Sequence, residues 1–321
     1  MILACGEALI DMVPRTSPEG ETLFLPCPGG SPYNTAIAIG RLGASVAFLG
    51  RLSTDFFGET LIDRLSQNKI HTGFIVRSQE TSTLAFVKLE KGREPQYVFY
   101  TQGSADRSLT QADLPASLPP EARCILFGSI SLTMEPVASS IEALIRREGG
   151  RGKDAPVISL DPNVRPFMIP DTAAYVKRFE GWAACSTIVK VSEADFDFIY
   201  PGLGLEKSLE KVLSMGPRLA VATLGPGGAL ALLKREDGTT LRVTAPVVKV
   251  PVVDTIGAGD AFHGAFLAWL ELRGLMSRQA IGALAEGDLY NALFFANKAA
   301  SLVCSRQGAE PPTLAETEAL A

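Results

Sequence analysis

Val247-Val248-Lys249-Val250-Pro251-Val252-Val253 leads into Asp254-Thr255-Ile256-Gly257-Ala258-Gly259-Asp260, and an amphipathic helix follows. Small residues at 257–259 let a backbone approach a ligand closely. They also leave unpaired N–H groups at a helix N-terminus, where the dipole favours negative charge. An anion hole of such amides suits the charge that develops on a transferring phosphoryl group. Asp260 comes immediately after, placed to take a proton from a substrate hydroxyl. The plainer reading is a tight turn with Asp260 as a helix-stabilising acid. Small residues framed by two aspartates are more than that reading requires.

Outward from this stretch, the chain reads as an α/β protein. Ile2–Cys5 and Ala8–Val13 suit a buried strand interrupted near Gly6. Ser31 reads as an N-cap with Pro32 in the first helical position, and Gly43 lies just past the end of that helix. A strand at Ser45–Leu49 and a helix at Asp55–Asn68 follow, the alternation of a parallel α/β fold. From Gly73 to Tyr100 the pattern is strands alone, at Phe74–Arg77, Thr83–Glu90 and Gln96–Tyr100, with a hairpin loop at 91–95. Alternation resumes with strands at Ile125–Phe127, Val157–Leu160, Ile188–Val191 and Leu219–Thr223. The segment Gly257–Arg306 is helical. The expected architecture is one α/β domain over 1–321, a mostly parallel sheet flanked by helices, with a small β-sheet lid from strands near 12–27 and 73–103.

Composition narrows the chemistry. The 321 residues are 46% hydrophobic and 20% charged, too apolar for disorder. A net charge of −5 argues against a nucleic-acid or anionic-membrane partner, both of which call for a basic surface. No stretch has the roughly 18 uncharged apolar residues of a membrane span. Glu7 and Asp11 interrupt the only apolar stretch near the N-terminus, so no signal peptide is expected. Five scattered cysteines without a CxxC pair read as reduced thiols in a cytoplasmic protein. Two histidines give a zinc site or a Ser-His-Asp triad little to build on; His263, one turn into the helix after Asp260, reads as structural. The P-loop, dinucleotide-binding and protein-kinase motifs are absent.

Asp254–Asp260 resembles the second signature of the ribokinase-like (PfkB) carbohydrate kinases. Pro28-Gly29-Gly30-Ser31-Pro32-Tyr33-Asn34 resembles the first, and Arg41-Leu42-Gly43 with Leu49–Gly58 extends it. The matches run in register along essentially the whole chain. The resemblance implies a ribokinase-like fold, with Asp260 as base and Gly257, Ala258 and Gly259 as the anion hole. It also implies sugar binding by Asp11, Gly30 and Asn34. Taken alone, Asp11 is equally a solvated strand-end acid and Asn34 a capping residue.

Asp161-Pro162-Asn163-Val164-Arg165 follows a buried strand, where open α/β sheets line their ligand crevice. Arg165 either grips a phosphate with its fork or pairs with Asp161 in a loop. Lys190-Val191-Ser192-Glu193 resembles the family's Asn-x-x-Glu motif, tied to magnesium and phosphate, with Lys190 in place of asparagine, and the resemblance implies nucleotide binding by Lys190 and Glu193. Glu193 then acts on Mg²⁺ through water, or simply begins a helix at Glu193–Tyr200. The resemblance further implies a nucleotide loop with Thr223, Gly225 and Gly228, and adenine packed near Asn297. It implies a monovalent-cation site, K⁺, built mostly from backbone at Asp254, Ile256, Val303, Arg306 and Gly308.

The substrate is read from Phe99–Asp106, which includes Gly103. Relatives acting on 2-keto-3-deoxygluconate offer an arginine near Thr101, and Thr101 cannot pair with a carboxylate. Ala105-Asp106 and Gly6–Asp11 resemble the fructokinase branch. The expected reaction is transfer of the ATP γ-phosphoryl to the 6-hydroxyl of fructose, with 2-keto-3-deoxygluconate kinase and then ribokinase as alternatives. A non-catalytic sugar sensor on the same fold is the reading from another class. The resemblance also implies a homodimer joined through the lid.

Overall fold

Continuous apolar runs form the centre of a sheet covered on both faces. The computed structural model describes residues 1–88 and 96–320. Its strands are β1 (Ile2–Cys5), β2 (Leu9–Thr16), β3 (Thr22–Gly29), β4 (Val46–Ser53), β5 (His71–Ser78), β6 (Leu84–Lys88), β7 (Gln96–Tyr100), β8 (Cys124–Gly128), β9 (Val157–Asp161), β10 (Ile188–Ser192), β11 (Leu219–Thr223), β12 (Ala229–Lys234) and β13 (Thr240–Ala245). Its helices are α1 (Ser31–Arg41), α2 (Phe56–Gln67), α3 (Val137–Gly149), α4 (Thr172–Cys185), α5 (Glu193–Ile199), α6 (Leu205–Ser214), α7 (Ala258–Leu272), α8 (Arg278–Gly282), α9 (Glu286–Cys304) and α10 (Leu314–Ala319).

The large sheet has the order β13-β12-β11-β10-β9-β8-β1-β4-β5. All pairings from β11 to β5 are parallel, and β12 and β13 add an antiparallel edge. Alternate residues of one strand serve two cores. Ile2 and Ala4 pack with the layer of α1, α2, α7 and α9, while Leu3 and Cys5 pack with α3, α4, α5 and α6. From β1 the chain winds outward through β4 to β5, then returns beside β1 at β8 and winds the other way. The strand order therefore reverses between β1 and β8, and a ligand crevice opens beyond the carboxyl ends of those strands.

The second sheet, β3-β2-β6-β7, is the expected lid. Two expectations are corrected. Ala8–Val13 does not continue β1: the chain turns at Gly6, and β2 leaves for the lid, pairing with β3 and β6. The strand expected at Phe74–Arg77 within the lid region is β5, paired with β4 at the edge of the main sheet. The hairpin loop expected at 91–95 lies outside the described residues. Val247–Val253, despite its β-branched composition, joins neither sheet; Pro246 and Pro251 lack the N–H that a ladder needs.

Helices α1 and α7 cross closely because Gly264 has no side chain. A Cβ there would lie 2.8 Å from Ala38 Cβ and 2.9 Å from Thr35 O. We predict that Gly264→Val destabilises the fold by about 1–3 kcal/mol through overpacking and also slows turnover, because this contact sets Asp260 against α1. Urea unfolding and steady-state rates check both; a wild-type midpoint would show that the helices can part without loss.

Candidate active site

The crevice at the strand-order reversal is a cavity of about 690 Å³. Its floor is organised by Glu7, just beyond β1. Glu7 is buried, and its carboxylate accepts hydrogen bonds from the Ser131 N–H (3.2 Å) and hydroxyl beyond β8 and from the Ser31 N–H (3.1 Å) at the start of α1. Burial pushes its pKa up against those hydrogen bonds, which favour the charged form. One carboxylate thus ties both halves of the sheet to the first turn of α1.

This explains why the N-cap differs from expectation. The cap is Gly30, and the Ser31 hydroxyl makes no capping bond. Gly30 has φ 103°, and a Cβ would sit 2.8 Å from Glu7 O, so glycine is required there. Glu7 meets the Ser31 N–H from outside the helix. The Ser31 hydroxyl is thereby released to donate to Asp260 Oδ1 at 2.6 Å.

Asp260 lies in the first turn of α7, buried and lining the cavity. Its Oδ2 accepts from Asn34 Nδ2 at 3.0 Å, and its Oδ1 also accepts from Asn163 Nδ2 at 3.3 Å. Burial raises its pKa, with the Ser31 and Asn34 hydrogen bonds opposing. A buried carboxylate with fixed orientation and enhanced basicity is the form a general base takes. Gly257 caps α7 in the left-handed region at φ 78° and, with Gly259, lines the cavity. The Ala258 N–H is already directed to Thr255 O, and Ala258 does not line the cavity.

Asp11, partway along β2, and Arg165, in the loop after β9, line the same space. Arg165 is held by Nη1, which donates to Asn163 O, Asn163 Oδ1 (2.7 Å) and Val164 O. It makes no ion pair with Asp161. Asn163, at φ 38°, therefore bridges Arg165 and Asp260. Burial, together with the Asp260 charge, pushes the Asp11 pKa from the ordinary 3.8 to about 7, with Arg165 opposing.

Between those two values the folded chain keeps a proton that the unfolded chain has released, so stability falls as pH rises through the window and levels off above it. Asp11→Asn is expected to remove that decline and to melt above the wild type at alkaline pH. A melting temperature with the wild-type pH dependence would remove the raised titration from Asp11.

Beneath the cavity, Lys190 Nζ pairs with Asp161 Oδ2 at 2.8 Å, both side chains buried. Burial disfavours the ammonium, and Asp161, Asp195 and Asp260 together more than offset it, so its pKa lies above the ordinary value. Asp195 accepts from the Val164 N–H and, in a capping box, from Ser192, fixing the Arg165 loop to α5. His263 is buried beside this group, its Nε2 2.7 Å from Ser159 Oγ and its Nδ1 3.8 Å from Asp161. Burial lowers its pKa to about 4, so it is neutral, as a structural histidine should be.

Of the remaining expected residues, Asp254, Ile256 and Gly308 line this cavity and the others lie outside it. Glu193 is the exposed first residue of α5. Thr223 ends β11, and Gly225 and Gly228 form the turn into the antiparallel β12. Asn297 is buried, donating to Ala245 O and Pro246 O. Gly103 sits in the turn after β7 with φ 69°. Asp254 accepts from the Ile256 and Gly308 N–H groups, drawing together two loops of the expected cation site, while the Arg306 side chain pairs with Glu316. Val303 is buried in α9. Glu7, Asn163 and Asp195 had no assigned role in the sequence reading, and Asp161 entered it only as the alternative partner of Arg165; for Glu7 and Asp161 the signal available was a carboxylate at or just beyond the end of an apolar run.

The pfkB family carbohydrate kinase model matches residues 1–316. A fructokinase of Rhizobium leguminosarum bv. trifolii is 40% identical over 295 residues, covering 91% of this chain and 86% of that protein. A probable fructokinase-5 of Arabidopsis thaliana is 36% identical over 100% of this chain and 97% of its own length. The crystal structure of a Xylella fastidiosa fructokinase with bound ATP superimposes with a TM-score of 0.88 at 29% identity, over 99% of this chain and 97% of that one. The family model over residues 1–316 and relatives 36–40% identical over 91–100% of this chain carry the conclusion: the chain belongs to the pfkB family of carbohydrate kinases.

Proposed function

We propose that the protein transfers the γ-phosphoryl group of ATP to the 6-hydroxyl of fructose. The observation that carries this reading is Asp260, held by Ser31, Asn34 and Asn163 at the cavity wall that also bears Gly257 and Gly259. Asp260 takes the hydroxyl proton as the oxygen attacks, and the Gly257 and Gly259 amides with Arg165 face the charge that builds on the phosphoryl group. Asp11 accepts sugar hydroxyls, Gly30 lets the backbone approach the ring, and Asn34 fixes the base. Leu9, Val13, Leu25 and Val87 of the lid line the cavity and exclude water, which limits wasteful ATP hydrolysis.

Fructose as substrate is supported by the fructokinase relatives and by the Vibrio cholerae O395 fructokinase solved in a fructose, ADP and calcium ion bound form, at TM-score 0.81 and 27% identity. Arg15 also lines the cavity and forms no ion pair among the described residues, which favours a sugar acid as the second reading. ATP consumption across a panel of fructose, 2-keto-3-deoxygluconate and ribose decides: fructose is expected to give the highest kcat/KM, and turnover confined to the sugar acid would overturn the assignment.

Mg²⁺ would neutralise phosphate charge. Among the described residues no three His, Cys, Asp or Glu side chains gather into a metal cage, which suits an ion held mainly by phosphates and water, with Glu193 acting through water. The Asp254-stapled loops would supply carbonyls to K⁺. Among the described residues no helix is long and apolar enough to cross a membrane, and the five cysteines are free, in keeping with the cytosol. Phe24 and Tyr100, both packed on Phe86, are exposed together on the lid, the surface we propose joins two copies; sedimentation of the full chain as a monomer would remove it.

A further inference from the structure

At the edge of the large sheet opposite the catalytic cavity, where β10 and β11 begin, lies a second hollow of about 500 Å³. Its walls are the carboxyl ends of α3 and α4, the turn into β11, and α8. Three arginines line it: Arg146 from the last turn of α3, Arg218 just before β11, and Arg278 opening α8. Glu236 is the one acidic residue among the lining side chains. None of the three arginines forms an ion pair among the described residues. Arginines elsewhere on the surface, Arg51, Arg64, Arg77, Arg178 and Arg242 among them, do hold carboxylates. Three unneutralised guanidinium groups in one concavity are out of keeping with a chain of net charge −5.

One of the three is steered into place by backbone carbonyls. Arg278 Nε donates to Pro156 O at 3.3 Å and Nη2 to Gly149 O at 3.4 Å, which orients the guanidinium and leaves Nη1 without a protein acceptor among the described residues. The helix carbonyl ends around the hollow work against an anion, and Arg278 covers one of them at Gly149. The Arg218 side chain makes no protein hydrogen bond among the described residues, so its whole fork is open. A concave wall bearing several cations concentrates potential on anions, and arginine forks match the oxygens of phosphate and carboxylate groups.

We propose that this hollow is a second ligand site, for a small polyanion carrying phosphate or carboxylate groups, separate from the catalytic cavity. The test is calorimetric titration of the full chain with inorganic tripolyphosphate and, in a separate arm, citrate. Wild type, Arg218→Ala, Arg278→Gln and Arg165→Ala are compared. Binding in at least one arm is expected to survive Arg165→Ala, which strips a cation from the catalytic cavity, and to weaken about 10–100-fold in Arg218→Ala, the loss of a charge-assisted contact.

Arg218→Ala is expected to melt with the wild type and to keep basal sugar-kinase turnover. This separates it from Arg278→Gln, which also removes support from α3. Binding by tripolyphosphate alone assigns a phosphate-bearing ligand, and by citrate alone a carboxylate. No binding in either arm, binding indifferent to Arg218→Ala, or binding abolished by Arg165→Ala would overturn the site.

Discussion

Asp260→Asn is expected to lower kcat by about 10²–10⁴-fold, the range for losing a positioned general base, while the protein melts no lower than the wild type. Both parts follow from the same geometry. Asp260 is buried, and burial raises its pKa, so replacing the carboxylate with a neutral amide removes a group the fold disfavours in charged form. The amide oxygen can still accept from Ser31 and Asn163. The new NH2 group meets Asn34 Nδ2, and a half-turn of the Asn34 amide presents its oxygen instead. The structure therefore survives while the proton acceptor is gone. Steady-state rates with a thermal melt make the measurement. A loss in kcat with KM for the sugar little changed places the defect at the transition state; near-normal turnover would exclude Asp260 as the base.

Lys190→Met is expected to cost about 3–5 kcal/mol of stability, the range for breaking a buried ion pair from one side. Asp161 would be left buried without its ammonium, with only the Asn163 N–H at 3.2 Å and a neutral His263 nearby. The double variant Lys190→Met/Asp161→Asn removes the stranded charge and is expected to recover much of the loss, so urea midpoints of the singles and the double give a large coupling. Additive midpoints would show that the pair does not act as a unit. Activity supplies a second readout: the Lys190 charge lowers the Asp260 pKa, so the acid limb of kcat is expected to move to higher pH in Lys190→Met.

The sequence made the layered architecture legible because a strand buried on both faces needs an uninterrupted apolar run, as in Ile2–Cys5 and Val157–Leu160. It also marked Asp260, since a carboxylate beside a small-residue helix tip is local in the chain. What it concealed was long-range. Gly6 reads as an interruption within one strand, yet it is where the chain passes from one sheet to another. Ser31 reads as a cap because capping is a local rule, but Glu7 arrives from 24 residues away and frees its hydroxyl for Asp260. Lys190 reads as a replacement for a family asparagine, and its partner Asp161 comes into view only when the β9–β10 pairing places the two side by side.

Asp260, the base we propose, and its nearest partners are far apart in the chain: Ser31 and Asp260 are separated by 229 positions, and Asn34 and Asp260 by 226. A polypeptide still leaving the ribosome can already possess β1, α1 and the lid and yet have nothing to aim at a hydroxyl. On the proposed mechanism, competence arrives only when α7 docks on α1. A chain truncated ahead of α7 is then expected to be an inert body rather than a leaky ATPase.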